Sequence, residues 1–76
     1  MTELERLALL EQQAEKAYDE MYEARSPSHA AACYSDVKEA LYAAIGLARA
    51  LGEFDTAKRL DDRLAHIKAV FRSQFT

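Results

Sequence analysis

The chain predicts an all-α fold: an up-down-up bundle of three helices over about residues 3–25, 27–51 and 55–74, forming one helical domain, 1–76. Three observations predict it. Apolar residues recur at alternating steps of three and four in three separate stretches, the spacing that places them on one face of a helix. One proline and two glycines are all that interrupt 76 residues, and Pro27 and Gly52 fall where the stretches meet. The composition, 50% hydrophobic and 30% charged, suits a chain that packs a core rather than one that stays unfolded.

The first helix opens at Thr2, whose hydroxyl can cap free backbone N–H groups, with Glu5 placed to complete a capping box. Leu7, Leu10, Ala14, Ala17, Met21 and Ala24 form its seam, which Leu4 and Tyr18 widen. Its end is expected near Arg25, because residues just ahead of a proline avoid helical geometry.

The second helix is the spine. Ser26 can cap it, and Pro27 fits a first turn, where its missing N–H has no partner to lose. Ala30, Tyr34, Val37, Leu41, Ala44, Ala48 and Leu51 fill every step of one face. Leu51-Gly52 is the stop, since glycine takes the left-handed conformation that closes helices without a Cβ clash. The third helix follows a turn of about three residues, which forces it antiparallel to the second. Asp55 is its expected cap, and Ala57, Leu60, Leu64, Ile67, Phe71 and Phe75 its seam, with Val70 alongside.

Charge limits the function. The net charge of −3 argues against nucleic acid as a partner. A single cysteine cannot form an internal disulfide, so nothing calls for an oxidising compartment. Met1-Thr2-Glu3-Leu4-Glu5 lacks the basic, apolar, small-residue order of a signal peptide. No apolar run approaches the roughly 20 residues that span a bilayer. The expectation is a cytoplasmic protein with no membrane association.

Residues Leu51-Gly52-Glu53-Phe54-Asp55-Thr56-Ala57 resemble the turn of a tetratricopeptide (TPR) repeat, in which glycine, an acid, an aromatic, Asp and a buried alanine join two helices. The resemblance covers about residues 38–71. It departs from the family at Ile45, where a small residue is usual, at Ala48, where an aromatic is, at Asp61, where a large apolar residue is, and at Ala69, where a proline closes the repeat. It implies a tetratricopeptide-like helical hairpin and, with it, a protein-binding surface.

Two features stand out as candidate sites. With Leu41, Ala44 and Ala48 turned to the core, Ala43, Gly46 and Ala50 fall on the opposite side of the spine, with Tyr42 beside them. A helix apolar nearly all round is one that is covered, and small residues let a second helix approach closely. Alanine as a plain helix former is the competing explanation. The second feature is Glu11, Glu15, Asp19 and Glu23, acids at steps of four that repel one another. They read as a docking face for a basic partner or for cations, or as a solvated face partly offset across the bundle by Lys58, Arg63 or Lys68.

Weaker patterns complete the chain. His29 and Cys33 have the spacing of two metal ligands on a helix, but two ligands do not make a site. Asp62 and His66 read as a surface pair. Tyr22 and Tyr42 lie off the core seams. Lys68, Phe71, Arg72 and Phe75 make the last turns basic and amphipathic, with too few bases for lipid or nucleic acid and with phenylalanines suited to sealing the bundle end. No phosphate loop, nucleophile elbow or two-histidine zinc motif is present, so no catalytic residue, metal or cofactor is expected. The sequence therefore points to a small interaction module that pairs as a homodimer, or with another helical protein, through Tyr42, Ala43, Gly46 and Ala50. The alternative is a monomeric adaptor that binds a basic partner through the acidic first helix.

Overall fold

A computed structural model describes residues 2–75; Met1 and Thr76, the ends of the expected domain, lie outside the described residues. The chain forms α1 (Glu3–Glu23), α2 (Pro27–Ala50) and α3 (Phe54–Gln74), with no strand among the described residues. It is the expected all-α three-helix bundle, and α1 and α3 run parallel with α2 antiparallel to both.

The helix starts follow local chemistry. Glu5 N–H donates to Thr2 Oγ1 at 3.1 Å while Thr2 N–H donates to Glu5 Oε1, a complete capping box. Ser26 Oγ accepts from His29 N–H at 3.1 Å, and Pro27 takes the first position of α2. At the α2 end Gly52 adopts φ +75°, Glu53 N–H bonds to the Ala48 carbonyl and Gly52 N–H to that of Arg49. This is a Schellman closure, which satisfies two carbonyls that the helix leaves unpaired.

Three boundaries differ from expectation. α1 stops at Glu23 because Ala24 is already extended, with ψ 138°. α2 stops at Ala50, with Leu51 as its cap residue. α3 starts one residue early, and Glu53 rather than Asp55 occupies its cap position, without a side-chain cap bond. Ala57 N–H already bonds to the Glu53 carbonyl at 3.0 Å, so the first turn closes ahead of Asp55, which instead puts its charge inside that turn, where the helix dipole favours it.

The core follows the three seams. Leu7, Ala14 and Ala17 of α1 pack with Val37, Leu41, Ala44, Ile45 and Ala48 of α2 and with Ala57, Leu60, Leu64 and Ile67 of α3. A smaller cluster at the far end joins Met21, Ala30 and Cys33, covered by Tyr34, Phe71 and Phe75. The two phenylalanines thus seal that end, Phe71 stacking on Tyr34 at 4.0 Å between ring centres. Leu4 does not widen the α1 seam as expected. It is 60% exposed: it stands seven residues before Glu11, on the side that faces α3, and the 48-residue offset of the Glu11–Arg59 pair sets it opposite a point where α3, which starts at Phe54, has not yet begun.

α2 is central. No Cα of α1 comes within 8 Å of a Cα of α3 among the described residues, so the outer helices meet only through long side chains. A groove of about 610 Å³ runs between them over Leu41 and Leu60.

Candidate functional site

The outer face of α2 lies where the sequence places it. Ala43, Gly46 and Ala50 are exposed, and Tyr42 is 53% exposed. A Cβ built on Gly46 would meet no atom within 4 Å, so nothing inside this chain requires glycine there.

The two flanks of this face differ. Toward α3, Lys68 Nζ donates to the Tyr42 hydroxyl at 2.7 Å and lies 5.2 Å from the centre of its ring. That bond pushes the Lys68 ammonium pKa up. One turn earlier, Lys38 Nζ sits 4.5 Å from the Tyr34 ring centre. Toward α1, a groove of about 450 Å³ opens between the helices. Leu10, Ala17, Ala40 and Ala43 form its apolar part, and Gln13, Lys16, Glu20, Asp36 and Glu39 its polar rim. The repeat along α2 does not by itself predict this groove, which needs the α1–α2 pairing register as well.

The acidic file on α1 divides in two. Glu11 Oε1 accepts from Arg59 Nη2 at 2.7 Å, and Glu15 takes Arg63 bidentately, at 2.7 and 3.1 Å. Asp19 and Glu23 stay exposed. The cross-bundle partners are therefore Arg59 and Arg63. Lys58 instead pairs with Asp62 on its own helix, and Lys68 goes to Tyr42. Both cross-bundle pairs are separated by 48 residues. The first and third helices of an up-down-up bundle run parallel, so two files with a pitch of four match rung for rung. A basic partner docking on Glu11 and Glu15 has to displace Arg59 and Arg63, whereas Asp19 and Glu23 are open to it.

Arg63 also lies over the Tyr18 ring at 4.9 Å. Burial, and then the contact with the Tyr22 hydroxyl at 3.4 Å, push the Tyr18 phenol up to about 12. Its neutral form is thus the one the fold favours. The associated stability is fully present below the unfolded phenol pKa near 10 and is lost as pH rises through about 12. Tyr18→Phe is expected to remove the highest-pH step of the phenolate absorbance titration and to reduce the alkaline loss of helix. A titration whose last step survives in Tyr18→Phe would assign that step elsewhere.

His29 and Cys33 are not brought together as ligands. His29 is exposed, whereas Cys33 is buried in the smaller cluster. Burial, with the charges of Glu20 and Asp36 behind it, pushes the Cys33 thiol up, away from the reactive thiolate. Among the described residues no group of three or more His, Cys, Asp or Glu side chains is placed to hold a metal ion, and no helix is long and apolar enough to cross a membrane. No family model, no curated protein and no solved structure matches this chain.

Proposed function

We propose that this chain is a small protein-interaction module that self-associates through the outer face of α2, with Tyr42, Ala43, Gly46 and Ala50 at the interface. The observation that carries the reading is Gly46. An exposed glycine inside a helix costs about 1 kcal/mol relative to alanine, and no neighbour in the chain fills the space beside it. A second helix packed there would use that space, because the distance between helix axes is set by the side chains at the crossing. The exposed Tyr42 supplies the aromatic anchor that such an interface needs. The reading is of a non-catalytic homodimer, or of a complex with another helical protein of matching face. The net charge of −3 supports neither nucleic acid nor an anionic membrane surface as partner.

Light scattering behind a sizing column tests it. The expected mass is about 17 kDa, twice the 8.6 kDa chain, with dissociation on dilution. Gly46→Leu is expected to return the mass to that of one chain while helical circular dichroism is unchanged. An oligomer indifferent to Gly46→Leu, or a single-chain mass at every concentration, would sink the assignment.

A further inference from the structure

We propose that the groove between α1 and α2 seats a basic amphipathic helix of another protein. The apolar side chains of that helix lie on Ala17, Ala40 and Ala43, and its lysines or arginines meet Glu20, Asp36 and Glu39. This rests on the reading of the chain as an interaction module and is independent of self-association.

The two grooves beside α2 differ in how their charge is met. In the groove between α1 and α3 every carboxylate has a base of this chain: Glu11 takes Arg59, Glu15 takes Arg63 and Asp62 takes Lys58. The groove of about 450 Å³ between α1 and α2 is the reverse. Its acids, Glu20, Asp36 and Glu39, are all exposed, and among the described residues none has an ion pair or a hydrogen bond. Lys16 is the one base on the rim. It stands one turn before Glu20 on α1 and is placed to answer that carboxylate, which leaves Asp36 and Glu39 on α2 unmatched.

The placement of these acids says what kind of cation fits. Among the described residues no three acids are placed to hold a metal ion, so the charge is spread along the groove and not gathered on a point. Glu20 and Asp36 face each other from two helices, and the charges of both reach the Cys33 thiol beneath them. Asp36 and Glu39, with Ala40 and Ala43, occupy two turns of α2, about 10 Å of its length. Lysines or arginines about a turn apart, beside an apolar stripe, match that pattern, and a basic amphipathic helix laid in a groove presents them so. The alanine floor has no long side chain to fill the furrow, which leaves room for those of the partner. Opposite charge across an interface selects the partner. A second copy of this chain brings a net charge of −3, so a basic helix is the better complement to this rim.

The probe is a fluorescein-labelled amphipathic helix of leucine and lysine, about five turns long, with a leucine and glutamate helix as its counterpart. Anisotropy is expected to show binding of the first and none of the second. Asp36→Lys with Glu39→Lys should weaken binding by about tenfold, with helical circular dichroism unchanged. Asp19→Lys with Glu23→Lys makes the same change in net charge at exposed acids that do not line the groove, and should stay within about twofold. Ala43→Gln, which puts a polar group on the floor, should also cost about tenfold. A leucine and lysine helix that does not bind, or one weakened as much by the Asp19 and Glu23 pair, overturns the proposal. Undiminished affinity in Ala43→Gln overturns the apolar seat. Gly46 does not line the groove, so Gly46→Leu is expected to keep the probe even where it halves the solution mass. Probe binding that disappears together with the dimer assigns the groove to the paired chains and overturns the proposal, whereas a single-chain mass in the parent that still binds the probe overturns self-association alone.

Discussion

Leu41→Ala is expected to cost about 2–5 kcal/mol of stability, the range for truncating a leucine in a packed core. Leu41 is 1% exposed and sits midway along α2, in the cluster shared by all three helices. It also lies under the groove between α1 and α3. The Cα atoms of α1 and α3 lie more than 8 Å apart, and the gap above Leu41 is spanned by the side chains of the Arg59–Glu11 and Arg63–Glu15 pairs. A chain of this length is stable by about 4–11 kcal/mol in all, so the loss is a large fraction of the whole. It should appear in urea as a lower midpoint with an unchanged slope, and on heating as a fall of about 4–8 °C for each kcal/mol. Leu9→Ala, at a leucine that is 40% exposed, should stay within about 0.5 kcal/mol. If the two substitutions cost the same, Leu41 is not the centre of the core.

The comparison between these leucines shows how much of the fold the spacing carries. Seam residues from Leu7 to Met21, from Ala30 to Ala48 and from Ala57 to Ile67 are legible at steps of three and four, because each helix buries a stripe and 3.6 residues complete a turn. Ile45 was not on any seam, yet it is 4% exposed. α2 packs against two helices at once, so its buried arc is wider than one stripe, and only the bundle geometry reveals that. Cys33, which flanks the seam, is buried for the same reason. Leu4 fails in the opposite sense, because periodicity along one helix does not say where the neighbouring helix begins. At the candidate site the positions of Ala43, Gly46 and Ala50 were legible, since the side opposite a seam is also set by the helical repeat. The groove toward α1 and the bond from Lys68 to Tyr42 were not. Which charged residue stands beside which groove depends on how α1 and α3 are rotated about their own axes, and no pattern within one helix encodes it.

Adjacent alanines on α2 allow folding and assembly to be separated with one kind of substitution. Ala44 is 0% exposed, part of the cluster in which α1, α2 and α3 meet. Three more methyl-sized groups there have no space to enter. Ala44→Leu is expected to cost about 1–3 kcal/mol through overpacking, seen as a lower urea midpoint even at concentrations where the chain is monomeric. Ala43, one residue earlier, is turned by 100° and exposed. Ala43→Leu leaves the monomer within about 0.5 kcal/mol of the parent, since the added atoms enter an open surface groove and not the packed core. Its effect belongs to the assembled state, where leucine would fill the groove beside Ala40 and Leu10 and hold the second helix away. The expected pair of results is a destabilised chain that still dimerises when folded for Ala44→Leu, and a stable chain that no longer dimerises for Ala43→Leu. Should Ala43→Leu lower the monomer's midpoint as far as Ala44→Leu does, the outer face of α2 is packed within the chain and is no surface for a partner. Should it leave both stability and mass untouched, water is what covers that face.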